Sequence, residues 1–417
     1  MTKHTRHSLK ITLAEIQDAK QELTKYLPPS PLLLNAWLSD VWECKVYLKL
    51  ENMQPIGSFK IRGATYKISR LTESEKKRGV IAASAGNHAQ GVAWGSRRLG
   101  VKALIVMPLC APIVKVQNTE ALGAEVILHG NNYEEAYTEA CRIAHKTGRV
   151  FVHAFEDDAV IAGQGTVGLE ILDQVPDADF VLGSVGGGGL MAGVASVFKA
   201  LRPQTQIVGC QASGAAAMIR SISKGKAVRL QSAVTFADGI ALMKTSEKMR
   251  KILHSNIDEW VEVSEESIAA AVLTLLEKGK ILSEGSGAVP LAALEGLRKK
   301  IRKKKVVLIV SGGNIDVNVL SRIIDLGLIR TGRRVRVNVL LPDRPGSLAH
   351  LTDLIAKQGA NILQAIHDRN EPFTQLDQTE VALTLETRGP DHSATLVQAL
   401  REQGLRLELV QDRSFIK

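Results

Sequence analysis

Four short segments of this 417-residue chain contain residue types that could together hold one cofactor. They are a lysine segment, Ser58–Ala64; an asparagine turn, Ser84–His88; a glycine run, Gly186–Leu190; and a serine–glycine turn, Ser311–Asn314. The lysine amine could bind an aldehyde, and the asparagine amide could donate to a phenolic oxygen. The bare N–H groups of the glycine run could hold a phosphate, and the serine hydroxyl could bond a pyridine nitrogen. The four segments therefore predict a site for pyridoxal phosphate.

Lys60 is the candidate for the covalent link to the aldehyde. It follows Gly57–Phe59 at the predicted start of a helix. The positive potential at a helix N-terminus and a partly apolar neighbourhood both lower the pKa of an amine, and a lysine that forms a Schiff base requires a lowered pKa. Considered by itself, Lys60 could equally be a solvated surface charge, because the chain is rich in lysine.

The glycine run Gly186–Leu190 is predicted to bind a phosphate. It lies between a strand-like apolar run, Phe180–Val185, and a helical pattern, so its N–H groups would stand at a helix N-terminus. A P-loop would end in Gly-Lys-Ser/Thr, which Leu190–Ala192 does not provide. A dinucleotide site would have an acidic residue where this chain has Cys210–Ala212. A tight turn alone would not require four glycines, because each glycine costs backbone entropy. A monophosphate is therefore the ligand that best fits the glycine run.

Two further turns follow predicted strands. Ser84–His88 offers a hydroxyl, an amide and helix-start N–H groups, which suit a substrate carboxylate, although Ser84 or Asn87 could simply cap the helix. Ser311–Asn314 takes the same position after another strand, and ligands of open parallel sheets gather at such strand ends. We predict that His88 is not catalytic.

The first 320 or so residues alternate β-branched runs with helical patterns. This order predicts an α/β fold with parallel sheets that are covered on both faces. Glycines are predicted to end several of the helices. The clearest strands are Val80–Ala83, Ala103–Met107, Glu125–Leu128, Phe180–Val185, Ile207–Gln211 and Val306–Val310, and the clearest helices are Ala89–Leu99, Asn132–Thr147 and Ser267–Lys278, followed by Gly100, Gly148 and Gly279.

The pattern changes after Arg330 to the order β-α-β-β-α-β, which is typical of a ferredoxin-like unit. We place the boundary near Arg330–Arg334, where Gly332 and the charges suit a linker. The predicted elements are a strand with alternating Val335, Val337 and Val339, a helix capped by Ser347 and ended by Gly359, strands from Asn361 and around Val381–Leu385, a helix at His392–Gln403, and a last strand with Leu405, Leu407 and Leu409.

Composition is that of an ordinary soluble protein, with 45% hydrophobic and 23% charged residues. The apolar runs are too short to span a bilayer, the basic start leads into no apolar segment, and the four cysteines are scattered, so we expect a cytoplasmic protein. The net charge of +10 comes mostly from Arg298–Lys305 and Arg330–Arg336. Both runs adjoin predicted strands, and aromatic residues are only 4%, which argues against nucleic-acid binding.

Taken together, the four segments resemble those of the threonine dehydratases, which are fold-type-II pyridoxal phosphate enzymes with a tryptophan synthase β-like fold. The resemblance extends from about Ile11 to Asp325, and the C-terminal segment that contains Leu341–Leu348 resembles an ACT domain, a small regulatory module. It implies a two-domain α/β catalytic region over residues 1–325, with a small subdomain at about 51–155. A linker at 326–334 and a ferredoxin-like α+β ACT domain at 335–417 would follow.

The resemblance also implies a role for each matching residue. Lys60 would bind the cofactor and move the α-proton of the substrate, and Ser84 would hold the substrate carboxylate. The other cofactor contacts would come from Phe59, from Asn87 at the phenolic oxygen, from Gly186, Gly187, Gly188, Gly189 and Leu190 at the phosphate, from Gly239 and Glu284 beside the ring, and from Ser311 at the pyridine nitrogen.

The implied reaction is the conversion of L-threonine to 2-oxobutanoate and ammonia, with L-serine as a second substrate. The hydroxyl of Ser311 cannot keep the pyridine protonated as a carboxylate would, which favours expulsion of a group from Cβ over transamination. Ala85 stands where serine racemases have a serine that carries a second proton, which argues against racemisation. Because Gln211–Ala217 contains no carboxylate, we expect no magnesium site.

Two alternatives stay open: a serine-preferring dehydratase, and a non-catalytic amino-acid-sensing protein on the same fold, against which Lys60 and Ser311 argue. The ACT-like segment implies a homo-oligomer, either a dimer or a tetramer. It also implies an isoleucine or valine effector near Asp343, Gly346 and Asn361, as would suit an allosteric enzyme of isoleucine biosynthesis.

Overall fold

The computed structural model describes residues 11–369 and 377–410. The chain divides into two compact units, Met1–Ile315 and Asp316–Lys417. The first unit is built on parallel sheets and the second on an antiparallel sheet.

The described strands of the first unit are short, as is usual for α/β proteins. They are β1 (Leu32–Leu34), β2 (Lys45–Leu50), β3 (Val80–Ala83), β4 (Ala103–Met107), β5 (Glu125–Leu128), β6 (Val150–Phe151), β7 (Phe180–Ser184), β8 (Gln206–Ala212), β9 (Glu259–Val263) and β10 (Lys305–Val310).

Helices connect these strands. They are α1 (Leu13–Leu23), α2 (Ala36–Trp42), α3 (Lys60–Ser69), α4 (Glu73–Arg78), α5 (Asn87–Arg98), α6 (Ile113–Ala121), α7 (Tyr133–Thr147), α8 (Asp158–Gln174), α9 (Gly189–Leu201), α10 (Ala217–Ser223), α11 (Glu247–Asn256), α12 (Glu265–Thr274), α13 (Gly285–Ala292) and α14 (Leu294–Ile301).

The strands form two sheets, which the described residues show in the orders β1-β2-β10-β7-β8-β9 and β5-β4-β3-β6. All neighbours are parallel except β1, which pairs antiparallel with β2. Every residue of β3, β4 and β7 is buried, because helices cover both faces of the sheets. The carboxyl ends of β3 and β7 open into the cavity described below.

Close packing of α8 against α9 fixes the position of the glycine run that begins α9. A Cβ atom built on Gly193 would lie only 2.6 Å from the Cα of Gly165, so the two backbones approach more closely than any side chain would allow. Both helices are almost entirely buried. The start of α9 is therefore held by the core of the unit.

The second unit contains α15 (Val317–Arg330), β11 (Arg334–Pro342), α16 (Ser347–Lys357), β12 (Asn361–Asp368), β13 (Gln378–Glu386), α17 (Pro390–Glu402) and β14 (Arg406–Leu409). Its described strands form an antiparallel sheet in the order β12-β13-β11-β14. Alternate residues of β11 and β13, such as Val337 and Leu383, pack against α16 and α17. From β11 onward this is the predicted ferredoxin-like arrangement.

The predicted fold class is confirmed in both parts of the chain. In the first unit the predicted strands agree with the observed ones to within one residue at each end, but β1, β2, β6 and β9 were not predicted, and β13 begins three residues before Val381. The division between units comes earlier than the sequence indicated. Helix α15 extends through residues 326–330, which we had predicted to be linker, because its apolar side includes the buried Ile323.

The backbone φ angles show whether the three glycines that were predicted to end helices do so. Gly100 and Gly148 take left-handed φ values of 68° and 69°, as expected for glycines that end helices. Gly279 does not, because a π-helical turn closes that helix and Lys280 takes the left-handed conformation, with φ 56°. Ser347 is the first residue of α16 rather than its cap, which is Gly346.

Within residues 11–369 and 377–410, none of the helices has both the length and the apolar character that a membrane crossing requires.

Candidate active site

A cavity of about 290 Å³ lies in the first unit, where strands of both parallel sheets end. Ser84 follows β3, Ser184 ends β7 and Ser311 follows β10, and all three residues line this cavity. Strand carboxyl ends are the usual ligand sites of open α/β sheets. The structure thus brings the four predicted segments together around one space.

Lys60 begins α3 and points its amine into this cavity. Its Nζ atom donates a hydrogen bond to the carbonyl oxygen of Ala154 at 2.9 Å and lies 5.1 Å from the centre of the Phe59 ring, which also lines the cavity. Burial lowers the pKa of Lys60 to about 8, and the Glu284 carboxylate opposes this shift only in part. Near neutral pH a larger fraction of the amine is therefore unprotonated and nucleophilic than for an ordinary lysine.

Backbone hydrogen bonds join the lysine segment to the serine–glycine turn. The N–H of Phe59 donates to the carbonyl of Ser311 at 3.1 Å, and the N–H of Gly313 donates to the carbonyl of Gly57 at 2.9 Å. Gly57 has φ 71°, a left-handed conformation that favours glycine. The two segments form one rigid floor of the cavity.

The asparagine turn begins helix α5. The cap residue is Gly86, and no side chain caps the helix, so neither Ser84 nor Asn87 has the capping role that was the structural alternative. The first N–H groups of α5 are left without a side-chain partner at the cavity wall, where they can bind an anion. The Ser84 hydroxyl accepts a hydrogen bond from the N–H of Gly86 at 3.2 Å.

The Asn87 side chain is held from two directions. Its Nδ2 atom donates to both oxygens of the Glu284 carboxylate, at 2.9 and 3.0 Å. Its Oδ1 atom accepts from Nδ2 of Asn314 at 2.7 Å. The amide therefore has a defined orientation at the edge of the cavity.

Each glycine of the run before Leu190 is required by its surroundings. Gly188 has φ 92° and caps α9, which has no side-chain cap. A Cβ atom at any of the four positions would meet another group at less than 3.0 Å: Ile240 for Gly186, Phe155 for Gly187, Leu253 for Gly188 and Gln164 for Gly189. The close packing leaves the backbone N–H groups, and no side chain, to face a ligand.

Ser311 is 3% exposed, and its hydroxyl oxygen lies 3.4 Å from that of Ser184. Sequence analysis missed Ser184. The signal was a polar residue at the end of an otherwise apolar strand, directly before the glycine run. The two hydroxyls place donors and acceptors, but no charge, at this end of the cavity.

Glu284 and Gly239 line the cavity beside Asn87 and Ser311. Burial, reinforced by the Asp238 carboxylate, raises the pKa of Glu284. A Cβ atom at Gly239 would lie 2.6 Å from the Ser286 hydroxyl and 3.2 Å from the Glu284 carboxylate, so only glycine fits there.

His88 lines the cavity but is bound into the wall. Its Nε2 atom pairs with the carbonyl of Val152 at 2.8 Å. Burial, with a smaller contribution from Lys60, lowers the pKa of His88 to about 3. The ring is therefore neutral at physiological pH and cannot serve as a general acid.

An ion pair that sequence analysis did not predict lies at the cavity wall. Lys115, in α6, pairs with Asp238, and both residues line the cavity together with Tyr133. Lys115 belongs to the smaller sheet region and Asp238 to the larger one, so the pair joins the two sides. Asp238 directly precedes the predicted contact Gly239, but Lys115 lies in no recognisable motif, and only the fold brings the two together.

A second pocket, of about 350 Å³, lies in the C-terminal unit between β11 and α16. Asp343 and Gly346 line it, and Arg369 pairs with Asp343 at 3.1 Å. Asn361 does not line it. This residue begins β12, whereas His367 at the other end of that strand lines the pocket, about 20 Å away at the usual rise per residue.

The basic run Arg298–Lys305 is largely neutralised by acidic neighbours. Ion pairs join Arg298 to Glu295, Lys300 to Glu259, Arg302 to Glu43, Lys304 to Asp179 and Lys305 to Asp177. Local pairing of this kind favours the interpretation of the run as a solvated surface of the enzyme rather than a nucleic-acid site.

Comparison with known proteins identifies the relatives of this chain. The family model described as pyridoxal-phosphate dependent enzyme matches residues 23–312. The L-threonine ammonia-lyase of Thermotoga maritima is 44% identical over 400 residues, which cover 96% of this chain and 100% of that protein.

Solved structures show the same similarity in three dimensions. The processed form of threonine deaminase isoform 2 from Solanum lycopersicum superposes with a TM-score of 0.73 at 40% identity, covering 76% of this chain and 87% of that one. Maize serine racemase superposes with a TM-score of 0.72 at 31% identity, covering 76% of this chain and 98% of that one.

The residues of the cavity fit the cofactor of this family. An amine with a lowered pKa, a glycine loop at a helix N-terminus that no side chain could enter, and a buried hydroxyl surround one space. These groups are suited to an aldehyde, a phosphate and a pyridine nitrogen. The chain belongs to the family of pyridoxal-phosphate dependent enzymes.

Proposed function

We propose that this protein is an L-threonine ammonia-lyase, which converts L-threonine to 2-oxobutanoate and ammonia. The observation on which the proposal depends is the meeting of Lys60, Asn87, the glycine run and Ser311 in one cavity. The relative from Thermotoga maritima, which matches along nearly the whole chain, supports threonine as the substrate.

In this proposal Lys60 has two tasks. Its amine, with a pKa lowered to about 8 by burial, binds the aldehyde of the cofactor. The same amine then takes the α-proton of the substrate as a general base, since its pKa is close to the working pH. The Phe59 ring beside it limits the directions in which the amine can swing.

The cofactor is held by the remaining segments. Asn87 would donate to its phenolic oxygen, the N–H groups of Gly186–Leu190 would bind its phosphate, and Ser311 would bond its ring nitrogen. Glu284 and Gly239 lie beside the ring. When bound, pyridoxal phosphate supplies the electron sink that makes the α-proton acidic and lets the Cβ–oxygen bond break.

The substrate carboxylate is held by the Ser84 turn. The free N–H groups at the start of α5 and the Ser84 hydroxyl form an anion site that fits this group. Fixing the carboxylate orients the Cα–H bond towards Lys60. That orientation, rather than additional acid–base groups, is the contribution of this wall to the rate.

The atoms balance without a further reactant. The α-proton moves to Lys60, the hydroxyl leaves Cβ with one proton as water, and the released enamine takes up one water and loses ammonia. Each L-threonine thus yields one 2-oxobutanoate and one ammonia. L-serine, which lacks only the methyl group, would give pyruvate by the same steps.

Racemisation is the second candidate, because maize serine racemase shares the fold at 31% identity. It requires a proton carrier on the face of the substrate opposite Lys60. Ala85 lines the cavity in this chain, and its methyl group cannot carry a proton. Elimination is therefore favoured.

The test is a product assay on purified protein loaded with pyridoxal phosphate. We expect 2-oxobutanoate from L-threonine at a higher kcat/KM than pyruvate from L-serine, and no D-allothreonine, the Cα epimer of L-threonine, by chiral chromatography. A higher value for L-serine would identify a serine-preferring dehydratase. No keto acid from either substrate would identify a non-catalytic protein and overturn the proposal.

We also propose that the C-terminal unit is an ACT domain through which isoleucine or valine controls the enzyme. The pocket beside Asp343 and Gly346 supports this, because the N-terminus of α16 can bind a carboxylate and Leu341 and Leu348 offer apolar contacts. Asp343 can bind the ammonium group. The protein would be a homo-oligomer of two or four chains, a typical state for ACT enzymes.

Titration calorimetry of the full chain with isoleucine and valine tests this regulation. Arg344→Gln, in the pocket, should weaken effector binding, whereas the remote and exposed Arg401→Gln should not. The coupling to catalysis should be about 1–3 kcal/mol. Unchanged binding in Arg344→Gln, or no binding by the natural chain, would contradict an effector at this pocket.

A further inference from the structure

Asn314 contacts Asn87 but was given no role above. It ends the serine–glycine turn after β10 and lines the cavity. Its Nδ2 atom donates to two oxygens, the carbonyl of Ile56 at 2.7 Å and the Oδ1 atom of Asn87 at 2.7 Å. Both hydrogens of the Asn314 amide are therefore used.

The Ile56 carbonyl fixes which way the Asn314 amide points. A backbone carbonyl can only accept, so the atom of Asn314 that faces it must be the nitrogen. The second hydrogen of that nitrogen then points at Asn87, and the facing atom of Asn87 must be its oxygen. The orientation of both amides thus follows from one backbone acceptor.

The other end of Asn87 is the donor end. Its nitrogen lies at nearly equal distances, 2.9 and 3.0 Å, from the two oxygens of the Glu284 carboxylate. One N–H placed between these oxygens serves both, and the second N–H stays free for a ligand in the cavity. If Asn87 turned over, its carbonyl oxygen would face that ligand and the Glu284 carboxylate.

We infer that Asn314 is a positioning residue, which holds the Asn87 amide so that its N–H, and not its C=O, faces the phenolic oxygen of pyridoxal phosphate. The inference rests on the proposed contact of Asn87 with that oxygen. An N–H stabilises the negative charge of the phenolic oxygen, whereas a carbonyl would set lone pairs against it.

The neighbourhood of Asn314 is consistent with this role. A Cβ atom at Gly57 would lie 2.5 Å from the Oδ1 atom of Asn314, so a side chain there would displace the amide. Gly57 also has φ 71°, which other residues rarely adopt. The glycine at position 57 therefore leaves room for the Asn314 side chain. Among the described residues, the side-chain hydrogen bonds of Asn314 go to Ile56 and Asn87, and not to Lys60 or the glycine run.

The test compares Asn314→Asp, Asn314→Ala and Asn87→Ala as full chains. Two readouts are needed besides activity: the Kd for pyridoxal phosphate by equilibrium dialysis, and the pH dependence of the absorption spectrum of the bound cofactor. We expect both Asn314 variants to bind the cofactor roughly tenfold more weakly, about 1.4 kcal/mol. The visible band should give way to a near-ultraviolet band at a higher pH than in the natural chain, because the phenolic oxygen keeps its proton more easily.

Asn52→Asp is the matched control. The Asn52 amide lies beside Gly313 of the same turn, but its hydrogen bond goes to the carbonyl of Leu282 at 2.9 Å rather than to Asn87. It should leave the spectrum unchanged. Asn314→Ala adds no charge, so it remains informative if the buried aspartate of Asn314→Asp prevents folding, which thermal unfolding of the cofactor-free chain would reveal.

A double variant separates positioning from general damage. If Asn314 acts only through Asn87, Asn314→Ala should cause no further spectral change in an Asn87→Ala background. An undiminished effect there, or natural spectra and affinities in both Asn314 variants, would overturn the inference. If Asn87→Ala alone changes nothing, the proposed role of Asn87 fails first, and that result is distinguishable from the others.

Discussion

Lys60 and Arg62 lie two positions apart in α3, and their surroundings shift the pKa values of the two cations in opposite directions. The Lys60 amine has a backbone carbonyl as its hydrogen-bond partner, and burial lowers its pKa to about 8. Arg62 donates to the carboxylates of Glu51 and Glu170 at 2.6–2.8 Å. Burial opposes the charge of Arg62 as well, but these two carboxylates prevail and raise its pKa.

The difference shows how one helix serves both structure and chemistry. Arg62 joins α3 to α8 through Glu170 and to the segment after β2 through Glu51, so its charge is used for cohesion. Lys60 has no carboxylate at hydrogen-bond distance among its described contacts, so its amine stays reactive. The buried network fixes the helix from which that amine projects.

The largest expected effect is the loss of activity in Lys60→Met. Removal of the group that binds the aldehyde and moves the proton should lower kcat/KM roughly 10⁴-fold, a typical loss for a central catalytic group. Keto-acid production from L-threonine measures it. Residual activity near that of the natural chain would show that the cavity uses a different base.

The same variant should not be less stable. Below pH 8 the folded, cofactor-free protein must hold a buried ammonium, because the pKa of Lys60 is about 8 when folded and near 10.5 when unfolded. That penalty is fully present at pH 7 and is relieved as the pH rises from about 8 to 10.5. Urea unfolding at pH 7 should therefore show Lys60→Met to be more stable than the natural chain, by a margin that shrinks towards pH 10.

Arg62→Met should have the opposite effect on stability. It leaves Glu51 and Glu170 buried without their cation, which typically costs about 3–5 kcal/mol. Arg70→Met is the control from the end of the same helix, since the pair of Arg70 with Asp18 is 3.5 Å long and exposed and should contribute less than about 1 kcal/mol. If urea unfolding showed equal losses of unfolding free energy in the two variants, the buried Arg62 pairs would be no more stabilising than the exposed Arg70 pair.

The rate of covalent attachment of pyridoxal phosphate should follow the pKa of Lys60. Because only the neutral amine attacks the aldehyde, the rate should rise about tenfold per pH unit up to about pH 8 and then level off. Stopped-flow absorbance of cofactor-free protein measures it. Glu284→Gln should move the midpoint to lower pH, since the Glu284 carboxylate raises the pKa of Lys60, and a plateau only above pH 10 would show an ordinary lysine.

The smallest effect is expected from Ala85→Ser, which asks whether Lys60 is the single proton carrier. A hydroxyl at position 85 should allow trace formation of D-allothreonine, the Cα epimer of L-threonine, while elimination continues. Chiral chromatography of the remaining substrate detects it. Racemisation by the unaltered chain would mean that another side chain already delivers protons to the second face.

The sequence predicted the site where its signals were local. The start of α3 at Lys60, the glycine run after β7 and the strands β3, β4, β5, β7, β8 and β10 are set by neighbours in the sequence. The pairs that hold the site could not be predicted in this way. Arg62 meets Glu170 across 108 positions and Asn314 meets Asn87 across 227, and no spacing rule connects such positions before the chain is folded.

Two smaller features of the structure also differ from what local sequence rules predict. The π-helical turn at Leu275–Gly279 places the left-handed conformation at Lys280 rather than at the glycine, which the local rule for helix ends does not predict. The Lys115–Asp238 pair likewise joins elements of different sheet regions.

The hydrogen bond from Asn314 to Ile56 spans 258 positions, which has a consequence for how the enzyme is made. At a synthesis rate of about 5–20 residues per second, Lys60 leaves the ribosome roughly 10–50 s before the serine–glycine turn that completes its pocket. A growing chain therefore cannot capture the cofactor in a finished site. Pyridoxal phosphate therefore binds late, after the chain is complete. A shortage of the cofactor would leave completed chains without it and would not affect their synthesis.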